Sequence, residues 1–289
     1  MTNLKTIFKT AALGIALTAA ASVQAAAINV GGVVWDPDNL DDFFATDTLY
    51  ETVAVPTGAA PVEVTADGYT KYSFTGSTEL KGYGKIANIN GDTTGFCPGC
   101  ELTHQFGGYF LNEWLDVDND GLIDAGDHIS FSGGVTNIYV DFTPDFNNTS
   151  SATGGSEGGT NALWLSLTGT NQSATYGAAS VLNGTLFSTI TTGTVGTGDE
   201  GGNGFGNLDV AGGLAAGNFD TNTKANSSDF RFTSQFNPRS CAGACPEGME
   251  LTGGNTYRAD SIPEPASLAL LGMGLLGLGV SAMRRRKAA

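Results

Sequence analysis

The stretch YTKYSF, residues 69–74, alternates aromatic and polar side chains: Tyr72 and Phe74 on one side, Lys71 and Ser73 on the other. That period of two sends successive side chains to opposite faces of a strand, one packed and one wet. The same rule places Leu163, Leu165 and Leu167 of ALWLSL, residues 162–167, on one face. Working outward, short runs rich in Thr, Val, Tyr and Phe, broken by Gly, Asn and Asp, predict further strands at 49–55, 83–89, 101–106, 128–131, 135–142, 229–236 and 249–252. No amphipathic helical pattern competes. Two stretches, NNTSSATGGSEGG at 147–159 and TTGTVGTGDEGGNGFG at 191–206, read as long Gly/Ser/Thr-rich loops. Many short strands with glycine turns predict an all-β chain: an antiparallel β-sandwich or jelly-roll-like single domain, its strand order not readable from sequence.

Both ends of the chain have a different composition. Residues 1–25 carry Lys5 and Lys9, then the apolar AALGIALTAAA, then small residues ending in VQA, the layout of a secretory signal peptide. Residues 262–289 read IPEPASLALLGMGLLGLGVSAMRRRKAA. Pro263, Glu264 and Pro265 form a turn that stops helix from propagating backward. An apolar run follows at 266–283; as helix it measures roughly 27 Å, close to the roughly 30 Å hydrocarbon core of a bilayer, and predicts one transmembrane helix. Arg284, Arg285, Arg286 and Lys287 would hold its far end in the cytoplasm, leaving residues 26–261 outside as the mature β-rich domain. Six of the 13 Lys and Arg lie in these two segments, against one of the 29 acids, Glu264. The remaining seven bases and 28 acids give the mature domain a formal net charge of −21. Such a chain makes nucleic acid an unsuitable partner and invites divalent cations.

The tail resembles the PEP-CTERM sorting signal of Gram-negative bacteria that make exopolysaccharide: Pro-Glu-Pro, a short Gly- and Leu-rich membrane helix and a terminal Arg cluster, in that order. The resemblance implies a substrate of exosortase, a transpeptidase-like membrane protease. The precursor would pass signal peptidase, sit transiently in the inner membrane, lose its tail and go to the cell surface or extracellular matrix. FCPGCELTHQFGGYF at 96–110 and GNFDTNTKANSSDFRFTSQF at 217–236 are similar to stretches of other PEP-CTERM surface proteins. No activity is carried over with the resemblance.

The strongest chemical signal is DVDNDGLIDAGD, residues 116–127. Asp116, Asp118, Asp120, Asp124 and Asp127 stand at positions 1, 3, 5, 9 and 12 of a twelve-residue calcium loop, with Gly121 at the sharp turn and Leu122 offering its backbone carbonyl at position 7. With Ile123 at position 8 and Asp rather than Glu at position 12, the segment resembles dockerin loops. HISFSGG follows where an EF-hand would place its second helix, which predicts a β-connection instead. Calcium is the expected cofactor.

The cysteines form Cys97-Pro-Gly-Cys100 and Cys241-Ala-Gly-Ala-Cys245. In an exported chain an even count reads as disulfides, with three possible connectivities. Local pairing is slightly preferred over cross-pairing, and a four-thiolate zinc knot is the weaker rival because exported thiols oxidise. Two further motif matches fail on context: Gly196, Gly198 and Gly201 satisfy a dinucleotide fingerprint without a βαβ unit, and Gly201, Gly202 and Gly204 echo a calcium nonapeptide that lacks its Asp and a second copy.

Hydrolytic catalysis has little to draw on. His104 and His128 are the two histidines, and neither adjoins a nucleophile motif. The expectation is a non-enzymatic, calcium-stabilised surface or matrix protein with a structural or aggregation role in an exopolysaccharide biofilm. The alternative is a carbohydrate-binding or carbohydrate-cleaving protein that stacks sugars on Trp35, Trp114 or Trp164, or uses a carboxylate pair.

Overall fold

The computed structural model describes residues 27–37, 41–54, 56–75, 78–147 and 162–262. In chain order the strands are β1 (Ile28–Val30), β2 (Val33–Trp35), β3 (Asp42–Val53), β4 (Ala59–Val64), β5 (Thr70–Phe74), β6 (Glu79–Ile89), β7 (Glu101–Asp116), β8 (His128–Asp141), β9 (Ala162–Gly169), β10 (Gln172–Tyr176), β11 (Ser180–Gly184), β12 (Leu186–Thr192), β13 (Gly201–Gly212), β14 (Phe230–Pro238) and β15 (Leu251–Ala259). One short helix, α1 (Ala216–Phe219), precedes β14.

The chain is all-β and antiparallel, as the alternation predicts, but the sheet does not split into two facing layers. Round the ring β3 pairs with β6 across the β4–β5 hairpin, and neighbours in the sequence then pair in turn: β6 with β7, β7 with β8, β13 with β14 and β14 with β15. The last strand then returns to the first, Leu251 opposite Glu51 and Ala259 opposite Asp42. Between β8 and β13 the wall is completed by two strands in tandem. β9 pairs with the second half of β8, Val140 to Val135, and β12 with the first, Phe131 to His128. Both also pair with β13. The expected sandwich or jelly roll is therefore a closed eight-position meander barrel. A ring of hydrogen-bonded strands leaves no sheet edge in its wall.

Two hairpins leave the ring. β4 and β5 prolong the β3–β6 ladder, and β5 pairs with the end of β7, Thr70 opposite Asp116. β10 and β11 fold out of the seam between β9 and β12, burying Ala174 and Leu182 against Leu115 and Phe187. Asp67, at the tip of the first hairpin, accepts hydrogen bonds from Ala178 N (3.1 Å), Ala179 N (3.0 Å), and Ser180 N (3.0 Å) and Oγ (2.6 Å) at the tip of the second. This contact changes the expected wet face of β5: Lys71 is buried, 3.0 Å from Glu113 and donating to Val181 O at 2.9 Å.

One end of the lumen is filled by rings. Trp35 of β2, Phe44, Trp164, Phe219 of α1 and Phe230 stack with centroid separations of 5.2–6.0 Å. Trp164 reaches this plug because the β8–β9 register shifts between Ile138 and Tyr139, making it the extra residue of a bulge. The same shift turns Leu163 outward while Leu165 and Leu167 stay buried, so the expected common face holds for two of the three leucines.

The largest departure from expectation is β13, whose first half, residues 201–206, lies in the segment that reads as a loop. Asn203 and Phe205 face out and Gly202, Gly204 and Gly206 face in. A Cβ on Gly202 would lie 2.3 Å from Thr189 O and 2.7 Å from Phe236 Cζ, so close approach of the neighbouring strands, not looseness, explains the glycines.

Candidate functional site

The acidic loop joins β7 to β8 at the barrel end opposite the ring plug. Asp116 closes β7 with its side chain fully buried, and its Oδ2 accepts from Gly121 N at 3.1 Å. Asp118 Oδ1 accepts from Asp120 N (3.2 Å) and Asp120 Oδ1 from Leu122 N (2.7 Å), while Asn119 (φ 63°) and Gly121 (φ 81°) take the left-handed turn. The result gathers carboxylate oxygens of Asp116, Asp118 and Asp120 within 4.8 Å of one another. Asp116 Oδ1 is buried with no hydrogen-bond partner. Burial raises the Asp116 carboxyl above its ordinary range, with Asp118 adding repulsion. Asp124 is raised too, by burial and then by the charges of Asp120, Asp118 and Asp116, which places it in the same field.

Asp127, the expected position-12 residue, is hydrogen-bonded within the loop. Its Oδ1 accepts from Val117 N (2.8 Å) and its Oδ2 from Trp114 Nε1 (2.8 Å) and Asp124 N (3.3 Å), so this carboxylate closes the loop on itself. Burial still pushes it up to about 6. The Leu122 side chain points to solvent, and β8 begins at His128, the β-connection expected from sequence.

A second acidic group was not visible in the sequence. Glu101 and Asp141 meet across the β7–β8 ladder and Asp145 joins them. Glu101 and Asp141 are held within the fold: Glu101 Oε1 accepts from Asp145 N and Phe146 N at 2.8 Å each, its Oε2 pairs with Lys85 at 2.8 Å, and Asp141 Oδ1 accepts from Thr143 N at 2.7 Å. This group reads as a fold-stabilising corner.

Between the ring plug and the acidic loop the lumen keeps a void of about 40 Å³, lined by Val53, Leu80, Phe106, Phe131, Phe232 and Phe236 among others. Two acids also line it, Glu51 on β3 and Glu200 just before β13. Glu200 accepts from Gly196 N (3.0 Å) and Gly198 N (2.7 Å) of the 193–199 turn. Glu51 is 6% exposed and accepts no hydrogen bond from any described residue; burial, with Glu200 nearby, pushes it up to about 8. The turn is tied to the acidic loop by Val195 N to Ile123 O (2.9 Å), and Gly126 N to Ile190 O (2.9 Å) ties β12 to it. Deeper in the wall, His104 is fully buried with neither ring nitrogen partnered, and burial lowers it to about 3.

The remaining candidate residues are placed as follows. Trp35, Trp114 and Trp164 are all at most 3% exposed, so none is open to stack on a sugar. Cys97 bonds to Cys100 and Cys241 to Cys245, the local pairs, which take up all four sulfurs. Among the described residues no helix is long and apolar enough to cross a membrane. The run 266–283, Pro263, Glu264, Pro265, the cluster Arg284 to Lys287 and the signal-peptide segment 1–25 lie outside the described residues.

Residues 261–287 match the family described as the PEP-CTERM protein-sorting motif. The chain carries a PEP-CTERM sorting motif. This motif implies processing by exosortase during export, and hence an exported, membrane-passing precursor. No curated protein and no solved structure matches the chain. The PEP-CTERM motif starts hard against the plugged end of the barrel: Ser261 Oγ donates to Asp42, Trp35 Nε1 donates to Ser261 Oγ (3.1 Å), and Ile262 N donates to Asn218 O (2.8 Å).

Proposed function

We propose that the processed protein is a non-enzymatic surface or extracellular-matrix barrel, locked by calcium at Asp116, Asp118, Asp120 and Asp124, that serves structure or aggregation in the exopolysaccharide matrix. The observation that carries this reading is Asp116 Oδ1: a buried carboxylate oxygen without a partner, converging with two further carboxylates. A buried charge left unpaired is costly, and a divalent ion among the three aspartates would remove that cost. Asp127 enters this scheme through the loop closure and not as the bidentate ligand. Leu122 supplies its carbonyl as at position 7.

An ion that binds the folded state alone adds RT ln(1 + [Ca²⁺]/Kd), roughly 1.4 kcal/mol at about ten times Kd. Millimolar calcium should therefore raise the melting temperature of the exported protein. Asp116→Ala with Asp120→Ala should abolish the rise. A wild-type melt indifferent to calcium would sink the calcium lock. The matrix role is tested separately on a polysaccharide panel with and without calcium: cross-linking or co-sedimentation without cleavage is expected, and release of sugar products would make the protein an enzyme.

A further inference from the structure

Four large apolar side chains stand exposed at the plugged end of the barrel: Phe142, Leu163, Leu214 and Ile262, each 38–54% accessible to solvent. They gather because the strands that carry them begin or end there. Phe142 follows the last residue of β8, and Leu163 is the second residue of β9. Leu214, just beyond β13, donates its N–H to Leu163 O at 3.1 Å. Phe142 and Leu214 both lie over the β1–β2 turn: a Cβ on Gly32 would meet the Phe142 ring at 2.8 Å, and one on Gly31 would meet Leu214 Cδ1 at 3.0 Å. Ile262 joins them through α1, whose Asn218 O accepts from Ile262 N at 2.8 Å. A cluster of exposed apolar side chains marks a surface that is covered in use.

What covers it follows from where the described chain ends. Ile262 is the last described residue, and the apolar run begins at 266. Those four residue steps span at most about 14 Å even fully extended. The headgroup zone on each side of the hydrocarbon is itself roughly 5–8 Å deep. With the run 266–283 in the bilayer, the plugged end is held at the headgroups, with no room for a linker. Asp260, two residues before the exit, and Asp41 beside it are paired with Lys224 and Arg258, so these carboxylates already carry their counter-charges.

We propose that the plugged end is a membrane-facing surface, which lies on the bilayer interface through Phe142, Leu163, Leu214 and Ile262 while the precursor is tethered. The proposal rests on the run 266–283 spanning the bilayer, and it needs no calcium at Asp116. The acidic loop, at the opposite end of the barrel, then points away from the lipid, where cations reach it from solvent. The contact orients the barrel without anchoring it. Even a single myristoyl chain binds a membrane only marginally and reversibly, and four side chains still half seated on the barrel hold no better. Removal of the tail therefore frees the barrel.

The test uses the full-length precursor reconstituted in phosphatidylcholine liposomes, with Phe142→Trp, Leu214→Trp and Val64→Trp as separate variants. Val64 is the control: it is exposed on β4, in the hairpin whose β5 meets Asp116 at the far end of the barrel. The signal of the buried Trp35, Trp114 and Trp164 is subtracted with the wild type. Lipids brominated near the top of the acyl chain should quench the added tryptophan at 142 and at 214 at least about twofold more strongly than the one at 64. Quenching at 142 or 214 no stronger than at 64 would overturn the membrane-facing surface. Flotation of the same samples reads the tail separately. A precursor that floats without that difference refutes the surface alone, and one that does not float refutes the span and the proposal with it. If one of the two patch variants does not fold, the other decides.

Discussion

Glu51 and His104 give the barrel opposite responses to pH. The Glu51 carboxyl, raised to about 8, holds its proton more tightly in the folded state than in the unfolded one. Its contribution to stability is therefore complete below about 4.5 and is lost as pH rises through about 8, by up to about 1.4 kcal/mol per unit. Glu51→Gln should remove that slope, and urea melts at pH 9 should show the variant more stable than wild type while the two converge near pH 4. His104, lowered to about 3, binds its proton more weakly when folded, so its contribution is present above 6.5 and lost as pH falls toward 3. Replacing both orphaned ring nitrogens by carbon in His104→Phe should stabilise the protein at pH 7 by about 1–3 kcal/mol and blunt its acid unfolding. A destabilised His104→Phe would show that the nitrogens have partners the geometry does not reveal. Neither residue stood out in the sequence, because a carboxyl or imidazole in a strand says nothing of its face until the register is known. Asp116 was legible for the opposite reason: its partners lie within five residues, and local spacing alone brings them together.

At the level of elements, legibility followed side-chain alternation. The runs in β5, β8 and β14 carry enough β-branched and aromatic residues to announce themselves, whereas β13 begins with GGNGFG and carries the composition of a loop. Its glycines are there because β12 and β14 approach within contact of where a Cβ would stand. Gly202→Val should accordingly cost about 1–3 kcal/mol or more, read as a lower denaturant midpoint, since the colliding atom on one side is backbone and cannot rotate away. A midpoint within experimental error of wild type would mean that β13 stands farther from β12 than described. Closure was equally invisible, because sandwich and barrel are written in the same alternating code. What separates them is the pairing of β15 with β3 and the tandem use of β9 and β12, both long-range facts of register.

For the molecule as a whole, sorting and architecture meet at residue 261, where the PEP-CTERM motif leaves the plugged end of the barrel. Replacing Pro263, Glu264 and Pro265 by Ala should leave the precursor full-length and in the membrane fraction, and normal release of that variant would refute the role of the motif. Non-reducing mass spectrometry of exported protein should show two disulfides, each confined to a peptide holding one Cys pair, as Cys97–Cys100 and Cys241–Cys245 require. The ring also imposes an order on export. Its first stave is β3 and its last is β15, which ends at Ala259, two residues ahead of the sorting motif. A chain threaded outward from its N-terminus has the closing stave in hand only when the motif itself reaches the membrane. Until then β3 and β14 present bare edges of the kind that pair with neighbouring molecules. Were the motif to hold the chain in the membrane at that moment, it would act as a dock, keeping each molecule apart from its fellows while the last stave is set, and processing would then launch a closed vessel.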